Sequence, residues 1–318
     1  MWQLHARRWG SYEFWGLACA ACGSRKGWHV SNGSRRLYSY VAAATCRECG
    51  ANYFLKKYRR ATPGKECEAQ REYQVQQQLE SDADIPPLAP HVYDISPATC
   101  AFSMEFLVGQ TLDARIKQAR QKQVLDDSLR LAATWLRRLH SVPIQCKPGK
   151  SYAQLLSQIE TSGAPLAARN PVVRRGLEWM RKDLAEVEQH PDAWVPLHCD
   201  FKASNLILTS TGVYGIDIGL RFMNAGTMDA AQFMGDLLLN GRRMDGYGMN
   251  HDVAGMVEVF MQAYGDNSAE SRKRVAWWLL YFLISWWERE LAGWKPALLA
   301  DRIYSGALAD VIAFREGL

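Results

Sequence analysis

The sequence predicts an α+β fold in two lobes, a β-rich lobe over residues 1–104 and a mostly helical lobe over residues 105–318. Three observations lead there. Apolar and polar residues alternate in short runs before Gly109, the period of half-buried strands. The stretch Arg274 to Glu290 is apolar around most of a helical circumference, which means burial. A chain of 318 residues with 48% hydrophobic residues is long enough for a core in each lobe.

The elements follow in order. The arm Met1 to Trp9 lacks the apolar stretch of a secretory signal. Gly27 to Ser31, Leu37 to Ala43 and Ala51 to Tyr58 read as strands, with Ser31-Asn32-Gly33-Ser34 opening the turn between the first two. Glu66 to Glu80 reads as a helix, and Ser81 to Pro90, with three prolines, as the loop after it. Phe102, Met104 and Phe106 form one face of a strand ending at Gly109. Leu131 to His140 is helical, and Ser162 to Pro171 separates two helical stretches. Leu206-Ile207-Leu208 and Val213-Tyr214-Gly215-Ile216 form an apolar hairpin. Arg274 to Glu290, the C-terminal helix, carries Trp277, Trp278, Tyr281, Phe282, Trp286 and Trp287. Core packing is its main reading. The other is that some of these rings line a ligand pocket, since aromatic faces suit sugar rings and quaternary ammonium groups.

Net charge is +5 and dispersed, which suits a phosphorylated or anionic ligand in a basic cleft. No recognised nucleic-acid motif accompanies the charges, so no nucleic-acid partner is expected. The longest apolar run, Ala276 to Trp287, is too short to span a bilayer. A cytoplasmic protein without a transmembrane segment is expected.

Four of eight cysteines form Cys19-Ala20-Ala21-Cys22-Gly23 and Cys46-Arg47-Glu48-Cys49-Gly50. In a reducing compartment, two C-x-x-C-G knuckles read as zinc ligands before they read as disulfides. The strand order places both at one end of the β-rich lobe, so Cys19, Cys22, Cys46 and Cys49 are expected to hold a structural Zn²⁺ as a ribbon away from the chemistry. A redox pair or four separate buried thiols are the competing readings. Cys67, Cys100 and Cys146 read as core or surface thiols. Cys199 reads as a small spacer, with an oxidation-sensitive thiol as the alternative.

The chemistry concentrates in Leu197-His198-Cys199-Asp200-Phe201-Lys202-Ala203-Ser204-Asn205 and the Ile216-Asp217-Ile218-Gly219 that closes the hairpin. Transfer of a γ-phosphoryl group needs positioning and charge neutralisation, so two Mg²⁺ held by hard oxygens are the natural device. Asn205 and Asp217 supply such oxygens for Mg²⁺. Asp200 is placed to take the proton of an acceptor hydroxyl, and Lys202 to steady the transferred phosphate. Turn formation explains any one of these residues. It does not explain their spacing together with the flanking strands.

This stretch resembles the catalytic core of the aminoglycoside phosphotransferase-like kinases, a superfamily that includes choline kinases and is distantly similar to protein kinases. The resemblance runs from about Gly33 to Gly265 and implies a bilobal protein kinase-like fold and an ATP-dependent phosphotransferase acting on a small-molecule or glycan-type acceptor. It implies that Lys56 in Tyr53-Phe54-Leu55-Lys56 pairs the nucleotide phosphates and that Glu72 is its ion-pair partner. It also implies that the hinge around Glu105 and Leu107 binds adenine through its backbone. Lys57 points to the face opposite Lys56 and is its competitor; Glu66, Glu68 and Glu80 compete with Glu72. No G-x-G-x-x-G precedes Lys56, so the phosphate turn falls to Gly33 and Ser34, a departure that points away from protein kinases. Gly226-Thr227-Met228-Asp229 is similar to the family's structural Asp turn. The acceptor is expected to touch Arg221 to Asp229, the loop-like tract Asn240 to Asp245 with Arg242 and Arg243, or the helix end near Trp287, Glu288 and Glu290. A protein kinase, a nucleotide-binding pseudokinase and a zinc-stabilised interaction module remain the alternatives. Oligomeric state is not legible.

Overall fold

The structure, a computed structural model, describes residues 14, 16–35, 39–58, 67–80, 87–144, 146–189, 193–243, 252–292 and 297–318. The arm Met1 to Trp9, the turn residues Arg36 to Tyr38, Glu66, the loop Ser81 to Pro86, and Met244 and Asp245 lie outside them.

The elements of the first third are β1 (Trp28–Arg35), β2 (Ser39–Cys46), β3 (Asn52–Tyr58), α1 (Glu68–Leu79), β4 (Val92–Ser96) and β5 (Ala101–Glu105). β6 (Gly109–Thr111), α2 (Leu112–Ala119), α3 (Lys122–His140), β7 (Lys147–Pro148), α4 (Tyr152–Arg169), α5 (Pro171–Gln189) and β8 (Trp194–Pro196) follow. Then come a short 3₁₀ turn (Ala203–Asn205), β9 (Leu206–Thr209), β10 (Val213–Gly215), β11 (Phe222–Ala225), α6 (Thr227–Arg242), α7 (Val253–Tyr264), α8 (Ala269–Leu291) and α9 (Ala297–Glu316). They form two compact units, Met1–Gly109 with Ile207–Ile218, and Gln110–Leu206 with Gly219–Leu318.

In the first unit a five-stranded antiparallel sheet has the order β1-β2-β3-β5-β4. Alternation along β3 sorts its two faces. Tyr53 and Leu55 pack with Phe14, Leu17 and Trp28 on one side. Phe54 and Tyr58 join Phe102, Met104 and Ala69 of α1 on the other. Lys56 shares the α1 side, which is why it meets that helix.

Four local expectations change here. β1 runs past Ser31 through Gly33 and Ser34, with a bulge in its register to β2 between Ser31 and Ser34. Gly33 is therefore a close-approach glycine: a Cβ there would overlap the Tyr40 phenol. Helix α1 starts at Glu68, after Cys67 as N-cap. Cys67 and Cys100, expected as separate thiols, are joined in a disulfide across a sequence separation of 33 with Cα atoms 5.9 Å apart. Packing of the α1 N-terminus over the β4–β5 turn brings them together, a tertiary contact with no local signature. Phe106 lies beyond β5 and is 40% exposed, so only Phe102 and Met104 belong to the core.

In the second unit β11 pairs parallel with β7 and antiparallel with β8. Helix α4 runs through the expected interruption at Ser162 and includes Pro165; the break shrinks to Asn170. Proline inside a helix costs about 3 kcal/mol, and packing offsets it: Leu166 is buried and Gly163 lets the helix approach Ile284 of α8, where a Cβ would already stand 3.3 Å from Ile284 Cγ2. Asn170 then caps α5 by accepting the Val172 N–H at 3.0 Å, and Pro171 occupies the first turn, where no N–H is needed.

The aromatic helix α8 is longer than expected at both ends and is followed by α9, so it is not the last element. Trp277, Trp278 and Trp287 are fully buried. Each indole N–H has an acceptor, in Met180 O (3.1 Å), Tyr152 Oη (3.1 Å) and Asp301 Oδ1 (2.9 Å), as buried tryptophan requires. No helix among the described residues is long and apolar enough to cross a membrane.

Candidate active site

Strand β3, helix α1 and the segment after β10, all of the first unit, converge on one ammonium. Lys56, 2% exposed, donates to both carboxylate oxygens of Glu72 (2.7 and 2.6 Å) and to Asp217 Oδ1. Tyr58 also donates to Glu72. Burial alone would lower the Lys56 pKa, but the Glu72 and Asp217 carboxylates outweigh it and hold the ammonium charged, well above its ordinary value. Glu68 is exposed and Glu80 caps α1, bonded to the His91 ring (2.8 Å) and the Val92 N–H (2.7 Å), so Glu72 alone of the described candidates reaches Lys56. Asp217 follows β10 with φ 59°, the left-handed region that Asp tolerates better than most residues.

In the second unit the segment Leu197 to Asn205 is tied at nearly every residue. Asp229, buried in the first turn of α6, accepts the His198 N–H (2.7 Å) and bonds His140 Nε2 (3.2 Å). The Asp200 N–H donates to His198 Nδ1 (3.3 Å), and the Phe201 N–H to Gln232 Oε1 (3.0 Å). Phe201 itself is buried, stacked on Trp135 at 5.7 Å. Asn205 Nδ2 donates to Asp200 O (2.9 Å) and Oδ2 (3.0 Å), and Lys202 Nζ to Asp200 Oδ2 (2.7 Å). Asp200 thus stands half-exposed on a clamped loop, and Asn205 is fully buried, with no hydrogen-bond partner for its Oδ1 among the described residues. Cys199 is strained into φ 69°, and burial, reinforced by the Asp229 carboxylate, pushes its thiol up to about 11. It is a spacer, not a reactive thiolate.

Beside Asp200 opens a cavity of about 610 Å³ lined wholly from the second unit. Gln232, Asp236 and Leu239 of α6 and its C-cap Arg243 form one stripe, facing Phe282, Trp286 and Glu290 of α8 and Tyr304 of α9. Gln232, Asp236 and Tyr304 escaped the sequence reading. Polar residues three and four apart in an otherwise apolar helix were the available signal. The expected loop Asn240 to Asp245 is helical through Arg242, so Arg242 and Arg243 diverge. Arg242 pairs with Asp310 of α9, whereas Arg243 faces the cavity, 3.7 Å from Glu290. Trp286 lines the cavity in place of Trp287, whose ring is in the core.

Burial pushes the Asp236 carboxyl from 3.8 up to about 6, with Lys202 opposing the rise. A raised acid stabilises the fold fully below the ordinary carboxylate range, and that contribution is lost as pH rises through about 6. The loss is at most ~3 kcal/mol. Asp236→Asn keeps an acceptor for the Asn240 amide, which lies 3.1 Å away. Its Tm relative to wild type should therefore be more favourable at about pH 7.5 than at about pH 4. An equal difference at both, by calorimetry, would show that Asp236 ionises freely.

The remaining expected residues fall in three places. Gly33 and Ser34 sit in the β1 bulge, Glu105 ends β5 with its N–H on His91 O (2.8 Å), and Leu107 is half-buried before β6. The sulfurs of Cys19, Cys22, Cys46 and Cys49 all lie within 4.8 Å of one another.

Solved structures share this fold. A choline/ethanolamine kinase family protein from Mesorhizobium loti is 17% identical, covering 91% of this chain and 93% of its own, with a TM-score of 0.59. Plasmodium vivax ethanolamine kinase is 15% identical over 88% of this chain and 82% of its own, with a TM-score of 0.57. A spectinomycin phosphotransferase, solved with ADP and spectinomycin, is 12% identical over 92% and 94%, with a TM-score of 0.55. Such identities establish the kinase-like α+β fold and nothing finer. No curated protein sequence matches the chain significantly. A profile described as the phosphotransferase enzyme family matches residues 40–217, more than half of the chain. The stretch takes in both the Lys56 cluster and the clamped Asp200 loop, and the chain belongs to the phosphotransferase enzyme family.

Proposed function

We propose that this protein transfers the γ-phosphoryl group of ATP, with Mg²⁺, to a hydroxyl of a small-molecule or glycan-type acceptor held in the cavity beside Asp200. The observation that carries this reading is Asn205: a buried amide whose Nδ2 is locked onto Asp200 while its Oδ1 has no hydrogen-bond partner among the described residues. A buried acceptor left unpaired costs about 1–3 kcal/mol. An oxygen held that way beside a carboxylate suits a hard cation.

Asp200 accepts the acceptor's hydroxyl proton. Lys202, bonded to Asp200, steadies the transferred phosphate. Lys56, positioned by Glu72, binds nucleotide phosphates, and the backbone around Glu105 and Leu107 receives adenine, with Gly33 and Ser34 near the phosphates. Asn205 and Asp217 would each offer an oxygen to Mg²⁺, which when bound would neutralise the charge that gathers on the β- and γ-phosphates. A cytoplasmic setting, where ATP is supplied, fits this chemistry.

The cavity carries Asp200, Asp236 and Glu290 against Lys202, Arg243 and Arg289, and a stacked Phe282–Trp286 pair (5.2 Å between ring centroids). Balanced charge with an aromatic wall favours a polyhydroxylated ring over a bare cation. Screening purified protein with ATP and Mg²⁺ against sugars, aminoglycosides, amino alcohols and glycan precursors tests the reading. Turnover with one hydroxylated class is expected; transfer to protein alone would replace it with a protein kinase. Once an acceptor is found, Arg243→Ala should raise its KM several-fold and leave the KM for ATP unchanged. Arg242→Ala, remote from the cavity, should change neither.

A further inference from the structure

Phosphotransfer makes no use of the two cysteine knuckles, although they are folded alike. In the first, the Cys19 N–H donates to Ser24 O (2.9 Å) and the Gly23 N–H to Cys19 O (2.8 Å). In the second, the Cys46 N–H donates to Ala51 O (2.8 Å) and the Gly50 N–H to Cys46 O (3.0 Å). Gly23 (φ 71°) and Gly50 (φ 76°) hold the left-handed backbone that closes each turn, with open space where a Cβ would stand. Glycine is needed there for its backbone freedom.

Strand register then sets the knuckles against each other, since Trp28 of β1 pairs with Cys46 at the end of β2. Cys19 and Cys49 approach to 3.6 Å between sulfurs, and Cys22 and Cys46 to 3.8 Å. A tetrahedron with metal–sulfur bonds of about 2.3 Å has sulfur–sulfur edges of about 3.8 Å. Both of these contacts run between knuckles. A redox C-x-x-C would pair within one knuckle, at about 2.05 Å when oxidised.

The surroundings agree. Tyr53 Oη accepts the Ala21 N–H (3.0 Å) and lies 3.4 Å from Cys19 Sγ, so its own proton is left for the sulfur, as a thiolate ligand requires. Cys19 and Cys46 are buried with Trp28, Tyr53 and Leu55, on the sheet face opposite the one α1 covers. Residues 16–27 contain no helix or regular strand to secure that cover.

We propose that Cys19, Cys22, Cys46 and Cys49 bind one zinc ion in a closed four-thiolate site, stapling residues 16–27 and the β2–β3 turn onto the face of the sheet behind Lys56. Four protein ligands leave no open position, so the ion is structural. Tyr53 is a positioning residue.

Elemental analysis of the purified full chain should find about one zinc per chain. Titrating the thiols with a mercurial should release it, read with a metallochromic dye. Cys22→Ser and Cys49→Ser, at the two exposed ligands, should lose the ion and unfold at lower temperature, whereas Cys22→His should retain it. Tyr53→Phe should weaken zinc affinity about 10- to 100-fold. Should the serine variants fail to fold, cobalt exchanged into the wild type decides instead, giving the intense visible bands of a tetrahedral four-thiolate site. Wild-type protein from zinc-supplemented medium that carries no zinc, carries iron in its place, or shows these cysteines as disulfides by mass would overturn the site. None of these readouts depends on phosphotransfer.

Discussion

Asp200→Asn is expected to lower kcat by about 100-fold or more, the scale of a lost positioned base, while ATP still binds. The substitution is nearly isosteric and its retained oxygen still accepts from Lys202 or Asn205, so the loop tied by Asp229, His198 and Gln232 should keep its shape. What is removed is proton acceptance and the charge that pairs with Lys202. Asp217→Ala provides the contrast. It deletes a carboxylate that touches Lys56, and nucleotide binding should cease to respond to Mg²⁺. Near-full turnover by Asp200→Asn, under acceptor saturation, would assign the base elsewhere.

The largest effect on stability outside the cysteine cluster is expected at Asp229→Ala. Asp229 is 1% exposed, and a single oxygen receives both the His198 N–H and His140 Nε2. His140 is held from its other side by the Tyr264 hydroxyl at 2.7 Å, so α3, α6, α7 and the Asp200 loop share one polar knot. Removing a buried charged partner costs about 3–5 kcal/mol. Asp229→Asn retains one acceptor and should cost about 1–2 kcal/mol. Urea titration should show the midpoint falling in that order with the slope unchanged. An alanine variant as stable as wild type would show that the loop is fixed by other contacts.

What could be read from the sequence was local or periodic. Alternation along β3 separated Lys56 from Tyr53 and Leu55, and the faces fall that way. The two knuckles share one pattern and one end of the sheet, which strand order alone places. Asp200 and Asn205 lie five residues apart on one turn, so their contact needed no tertiary knowledge. Contacts between distant elements were not legible. Cys67 and Cys100 looked unrelated because only the packing of α1 over the β4–β5 turn unites them. Pro165 read as a break because helix propensity ignores the close approach of Gly163 to α8. The α6 side of the cavity is hidden for a related reason: the polar tract Asn240 to Asp245 reads as a loop, which conceals the stripe Gln232, Asp236, Leu239 and Arg243.

The most direct test of the account is the fate of the γ-phosphoryl group, followed by phosphorus NMR with wild-type protein, ATP and the acceptor that best perturbs its tryptophan fluorescence, with Mg²⁺ present and then chelated. A new phosphate monoester on the acceptor is expected with Mg²⁺, none after chelation, and none beyond a trace with Asp200→Asn. ATP that binds wild-type protein with Mg²⁺ yet is neither transferred nor hydrolysed would contradict it and mark the chain as a nucleotide-binding module without turnover.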